Sequence, residues 1–162
     1  LNMSFPKLLY FGRFRKEKGV FSLIEIFSKL NKNYKLTIAG DLKKINKTTK
    51  NIEFKGNINN QKKIIELYDR HNIFILPSYT EASPKVIKES LSRLRPVIIF
   101  DELKHLKNKY FGIFMCKRNP KQLVQTISYI FDNYKKIQKK IKKNKLVTKK
   151  DFQIKLCKII DE

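Results

Sequence analysis

The sequence predicts an α/β fold, a Rossmann-like parallel sheet of about six strands with helices on both faces. Three observations predict it. Short apolar runs alternate with stretches whose apolar residues recur at helical spacing. The connections between them are short, as in βαβ units. One run, Ile73-Phe74-Ile75-Leu76, is apolar at every position, as a strand covered on both faces requires.

The elements follow in order. "PKLLYFGRF" supplies a first strand, roughly Leu8 to Phe11, ended by Gly12. In "GVFSLIEIFSKLN", Val20, Leu23, Ile24, Phe27 and Leu30 make one helical stripe. "YKLTIAGD" is a second strand closed by Gly40, and "LKKINKTTKN" a polar loop without period. "IEFKG" is a third strand. "NNQKKIIELYDRHN" reads as a helix with Ile64, Ile65 and Leu67 or Tyr68 inward. "IFILPS" is the fourth strand, "SPKVIKESLSRL" a helix, "PVIIF" a fifth strand and "GIFMC" a sixth. "NPKQLVQTISYIFDN" is a helix that "YKKIQKKIKK" continues, with Tyr134, Ile137 and Ile141 on a core-facing stripe. "KDFQIKLCKIIDE" places Phe152, Leu156 and Ile159 at helical spacing.

Composition narrows the function. The 162 residues suit one domain, and no apolar run approaches a membrane span. Two cysteines, Cys116 and Cys157, make neither a disulfide framework nor a zinc site, so a reduced, cytoplasmic setting is expected. Neither His71 nor His105 has the Cys or carboxylate set of a metal site. His71 reads as a cap on the preceding helix and His105 as a surface-loop residue. The net charge of +23 fits weak attraction to anionic lipid, and hence a peripheral place at the inner membrane surface. It also leaves a rival reading, a non-enzymatic basic module binding nucleic acid or anionic membrane. The charge comes from 31 Lys and only 6 Arg, so the bidentate donors of nucleic-acid readers are scarce. A solvated lysine-rich surface is the preferred reading.

In open parallel sheets, ligands bind beyond the carboxyl ends of the strands. The residues with chemistry fall there: Gly12-Arg13, Gly40-Asp41, Gly56, Ser78 to Glu81, and Asp101. Two loops stand out. In "SPKVIKE", Ser83 is expected to be the N-cap and Pro84 to sit in the first helical turn. The N–H groups of Lys85, Val86 and Ile87 then lack intrahelical acceptors and suit a phosphate. Glu89, further along that helix, is placed to accept hydrogen bonds from a vicinal diol, and Glu81 to hold sugar hydroxyls. The alternative is a capped surface helix with two solvated acids. In "GRFRKEKG", Gly12 allows a sharp turn, Arg13 and Lys18 reach for a diphosphate, and Gly19 is expected to start the helix where backbone passes close to a ligand. There is no GxGxxG and no GxxxxGK[ST].

Taken together, "YFGRFRKEKG…LTIAGD…IEFKGNI…LYDRHNIFILPSYTEASPKVIKESLSRLRPVI" resembles the donor-binding C-terminal half of GT-B glycosyltransferases of family 4, from about Leu8 to Asn133. The resemblance implies that Gly12, Arg13 and Lys18 belong to a Gly-Arg…Lys-Gly loop for the donor diphosphate. It implies that Glu81 and Glu89 are the paired glutamates of the family, the first at the donor sugar and the second at the ribose. Arg13, Lys18 and Glu81 would then stand at the reacting centre, with Ser83, Lys85, Val86 and Ile87 around the phosphates. No metal and no cofactor is implied. The substrate would be a nucleoside-diphosphate sugar and the acceptor a glycan or lipid-linked glycan, as in polysaccharide biosynthesis. The implied domains are a nucleotide-sugar-binding unit over 1–145 and a crossover helix over 146–162. The acceptor domain of the family would precede them and has no counterpart in this sequence. Ala82-Ser83-Pro84 replaces the usual glycine-rich backbone, and Arg95 the usual small residue before "PVI".

Overall fold

The computed structural model describes residues 5–31, 33–41 and 50–147. The polar loop over 42–49 and the expected crossover helix, with Phe152, Leu156 and Ile159, lie outside the described residues.

Six strands form one parallel sheet: β1 Lys7–Phe11, β2 Lys35–Ala39, β3 Ile52–Lys55, β4 Ile73–Leu76, β5 Val97–Phe100 and β6 Ile113–Cys116. Their order is β3-β2-β1-β4-β5-β6. The α-helices are α1 Val20–Ser28, α2 Gln61–Asp69, α3 Lys85–Ser92, α4 Pro120–Asp132 and α5 Tyr134–Ile141. The expected Rossmann-like class and strand count are therefore borne out.

Burial explains the pattern. All four β4 and all four β5 side chains are buried, because these central strands are covered on both faces. Phe74 and Phe100 are fully buried there, each worth about 1.5–3 kcal/mol relative to exposure. Val20, Leu23 and Phe27 of α1 reach the same core. In α2 the buried pair is Leu67 and Tyr68, whereas Ile65 is exposed, contrary to the inward face expected for it. Ile64, Leu67 and Tyr68 follow the i, i+3, i+4 spacing of one inward stripe, and Ile65 falls beside it.

The chain moves outward from β1 to β3, then jumps to β4 and moves outward the other way. Right-handed crossovers place α2 and α3 on the same face. Their contacts agree: Arg93 of the α3 end makes two hydrogen bonds to Asp69 of α2. Helix α4 does not run on into the next segment as expected. Asn133, at φ −105° and ψ 14°, breaks it, and α5 begins anew. α5 then packs with α3, since Gln138 donates to the Leu94 carbonyl at 3.2 Å. Its stripe of Tyr134, Ile137 and Ile141 is buried, as expected of core.

Arg95 stands before β5, away from the ligand end of the sheet. It is buried, and its guanidinium donates to the Tyr68 and Asp69 carbonyls at 3.1 and 3.2 Å. A large residue at that position closes the C-terminus of α2, where carbonyls lack intrahelical donors. It lies at the opposite end of the sheet from the loops that follow β1 and β4 and does not crowd them.

Candidate functional site

Strand order reverses between β1 and β4, and the loops leaving their carboxyl ends flank the crevice where such sheets bind ligands. Those two loops are the ones the sequence singled out.

The loop after β1 carries a short 3-10 turn at Lys16–Lys18 before Gly19. Gly12 does not have a positive φ, so its glycine freedom is not what turns the chain. That demand falls on Gly19 and Gly40. Gly19 is left-handed at φ 66°, and a Cβ there would lie 1.9 Å from the Pro77 carbonyl oxygen. Gly40, at φ 138°, abuts the Gly12 carbonyl in the same way. The close backbone approach that the structure shows at Gly19 is to the β4 loop. A further bond ties the two loops, from the Tyr79 N–H to the Glu17 carbonyl at 3.0 Å. Below them the Tyr10 hydroxyl donates to the Arg13 carbonyl at 2.7 Å. Burial first, and the Glu81 carboxylate second, push the Tyr10 phenol up, so it stays a protonated donor.

Lys18 and Glu81 meet directly. The lysine ammonium donates to Glu81 Oε1 at 2.6 Å, and Ser78 Oγ donates to the same oxygen at 2.9 Å. Both ion-pair side chains are largely withdrawn from solvent, at 21% and 15% exposure. Arg13 is exposed, and its guanidinium has no hydrogen bond or ion pair among the described residues. Three of the anticipated residues thus surround the mouth of β1, two of them already paired with each other.

Helix α3 starts one residue later than expected. Pro84 is the N-cap, with extended backbone at ψ 120°, and no side chain caps the helix. Ser83 is therefore displaced one position outward and is not the cap. Ile87 is not free either, because its N–H donates to the Pro84 carbonyl at 3.3 Å. The N–H groups of Lys85 and Val86 remain without an acceptor among the described residues, which leaves two open donors at the helix start. Glu89 is exposed and accepts from the Tyr68 hydroxyl of α2 at 3.0 Å. Burial, and then the Glu89 charge, push that phenol up as well. The two glutamates consequently occupy different walls. Glu81 is on the β1 side with Lys18, and Glu89 is on the α2 side with Tyr68.

Asp101 is exposed at the end of β5, opening a 3-10 segment over Asp101–Leu106. His105 in that segment is exposed as expected, and its Nε2 donates to the Glu81 carbonyl at 2.7 Å. His71 caps α2 as expected, donating through Nδ1 to the Leu67 carbonyl at 2.6 Å. Among the described residues no group of three or more His, Cys, Asp and Glu is placed to hold a metal ion. None of the described helices is long and apolar enough to cross a membrane. Buried Cys116 has its thiol pushed up to about 11, chiefly by burial, and is unreactive at neutral pH.

Sequence reasoning missed Arg118. Its guanidinium donates to Glu102 at 2.8 Å, to Ser22 Oγ at 2.8 Å and to the Pro77 carbonyl at 2.9 Å. It also lies 4.3 Å from the ring centroids of both Tyr79 and Phe100. One side chain thereby joins α1, the β4 loop and the β5 end directly behind the Gly19–Pro77 contact. Its only signal in the sequence is its place two residues after β6, at the ligand end of the sheet.

Residues 1–147 match the family described as Glycosyl transferases group 1. A Bacillus subtilis (strain 168) protein named as a teichuronic acid biosynthesis glycosyltransferase, TuaC, is 34% identical over 94 residues, or 57% of this chain and 24% of that relative. The chain thus spans about a quarter of the curated relative it matches. Sucrose-phosphate synthase from Thermosynechococcus elongatus superposes with a TM-score of 0.75 at 17% identity, over 99% of this chain and 46% of that one. HepE of Anabaena, solved in complex with UDP-glucose, superposes with a TM-score of 0.64 at 15% identity, over 85% of this chain and 42% of that one. At these identities the structural likeness shows the fold, one half of a GT-B architecture.

Proposed function

The chain belongs to the glycosyl transferases group 1 family, and from that premise we propose that it is the donor-binding half of a retaining glycosyltransferase that moves a sugar from a nucleoside-diphosphate sugar to a glycan or lipid-linked acceptor. The observation that carries the reading is the Lys18–Glu81 pair at 2.6 Å, which holds a cation at the strand switch point beside the open N–H groups of α3.

Each residue then has a role. Glu81 fixes the Lys18 ammonium by one of its three donors, leaving two for phosphate oxygens. Arg13, exposed and unpaired among the described residues, offers a fork to the same diphosphate. The Lys85 and Val86 N–H groups and the α3 dipole add a third positive element. As the bond from sugar to phosphate breaks, negative charge grows on the leaving diphosphate, and fixed donors stabilise it most at that moment. Glu89 keeps a ribose diol on the opposite wall while the Tyr68 hydroxyl holds its second oxygen. Glu81, part-buried beside the diphosphate position, faces the sugar hydroxyls. UDP-glucose in HepE supports the donor class and leaves the base and sugar open here.

Calorimetric titration with several nucleoside diphosphates and their sugars tests this. One diphosphate is expected to be preferred, with moderate salt dependence. Glu89→Ala removes a charge-assisted hydrogen bond and is expected to weaken binding about ten- to a hundredfold. Arg13→Ala and Lys18→Ala are expected to weaken the diphosphate more than the bare nucleoside. Binding without base preference and with a steep salt slope would instead mark a polyanion-binding module.

A further inference from the structure

Charge is unevenly placed along this chain. Residues 1–102 carry ten acidic side chains, about one in ten, whereas residues 103–147 carry one, Asp132, against twelve lysines and Arg118. A uniform lysine bias does not produce that contrast. Helix α5 concentrates it. Tyr134, Ile137 and Ile141 face the core, and the Tyr134 hydroxyl is anchored on the Asn72 carbonyl at 2.7 Å. The inward stripe turns the four lysines of α5, Lys135, Lys136, Lys139 and Lys140, outward, and Lys142, Lys143 and Lys145 follow directly after the helix, all seven exposed.

Beside the end of this ridge stands an exposed aromatic ring. Phe111 is 55% exposed in the turn before β6. Its backbone is bracketed by Asn144, whose Oδ1 accepts from the Phe111 N–H at 2.8 Å and whose Nδ2 donates to the Phe111 carbonyl at 2.8 Å. Next to it, Gly112 has φ 94°, and a Cβ there would fall 2.4 Å from the Ile141 side chain. The turn is pressed onto the end of α5 by its backbone, with the ring exposed beside the chain segment that carries Lys142, Lys143 and Lys145.

We propose that the α5 ridge and Phe111 form a docking face for an anionic lipid surface, with the ring entering the headgroup boundary and the lysines meeting lipid phosphates. A polybasic face gains affinity with each lysine near such a surface, and an aromatic side chain supplies the apolar anchor that charge alone lacks. Nucleic acid is disfavoured as the occupant because α5 has no arginine for bidentate contacts. The inference is independent of the donor-site reading.

Cosedimentation of the 162-residue chain with vesicles of phosphatidylcholine, with and without phosphatidylglycerol, tests it. One variant replaces Lys139, Lys140, Lys142 and Lys143 with Gln. A charge-matched control replaces Lys29, Lys50, Lys62 and Lys63 with Gln. The ridge variant is expected to lose roughly tenfold or more in binding to anionic vesicles, and the control no more than about threefold. Phe111→Ser is expected to weaken vesicle binding and to leave binding to duplex DNA unchanged. Equal losses for the two four-lysine variants would overturn the proposal, because bulk charge would then suffice. So would absence of binding to anionic vesicles, or a Phe111→Ser loss of the same size on DNA.

Discussion

Arg118 fills positions that no other side chain could fill together. Its guanidinium is flat, so it fits between the Tyr79 and Phe100 rings, and its donors point in the directions of Glu102, Ser22 and Pro77. The same contact holds the Glu102 carboxyl below the usual range, first through its hydrogen bond to Arg118. Arg118→Ala is expected to destabilise the fold by about 1.5–3 kcal/mol, the cost of losing a charged hydrogen bond. It should also weaken nucleoside-diphosphate binding, because the Pro77 carbonyl it holds abuts Gly19. Arg118→Lys should recover little, since a compact ammonium cannot keep both ring faces and three separated acceptors. Urea midpoints and dissociation constants for the three proteins decide this. Wild-type values for the lysine variant would remove the positioning role. The sequence could not reveal Arg118, because its partners lie 16 to 96 residues away. Arg13, Lys18, Glu81 and Glu89 were legible because each lies in a run that also marks a strand end or helix start.

At the scale of elements, the order of strands and helices was legible almost throughout, since apolar runs set it. Their ends were not. Ser83-Pro84 admits two helix starts one residue apart, and the extended Pro84 backbone selects the later one. The break at Asn133 was hidden because the apolar stripe of α5 reads as a continuation of α4. His71 shows how an element end is secured. Its Nδ1–H holds the Leu67 carbonyl of α2, and its Nε2 then accepts from the Thr37 hydroxyl of β2 at 2.7 Å. Burial holds the imidazole below its ordinary pKa, so the folded chain keeps it neutral. The unfolded chain takes up the proton first, near pH about 6.5. Stability from this group is therefore full above that pH and is lost as pH falls towards the folded value. The urea midpoint is expected to drop from about pH 7.5 to about pH 5.5 in the wild type, and to drop less in His71→Gln. Parallel pH profiles would show that the cap does not couple to protonation.

At the scale of the whole molecule, the described residues build one sheet and hence one wall of a cleft. The residues proposed to bind the donor sit on the carboxyl-end loops of that sheet or on the helix that follows β4. On the proposed reading, nucleotide binding needs only this wall, because Arg13, Lys18, Glu89 and the α3 start all belong to it. Transfer needs more. An acceptor hydroxyl must be held near the donor sugar carbon, and such positioning supplies a large part of the rate. The chain spans 46% of the superposed synthase, which leaves more than half of that protein without a counterpart in the match. The 162-residue chain is therefore expected to bind a nucleotide sugar and to transfer it to no glycan by itself. Supplying an acceptor domain from a relative in trans should raise transfer without changing nucleotide affinity by more than a few fold. The measurement is sugar incorporation into glycan acceptors by the purified monomeric chain, with donor binding followed in the same samples. Robust transfer by the chain alone would show that the loops around Glu81 already position an acceptor. Slow donor hydrolysis would not, since water reaches the sugar carbon without a second wall.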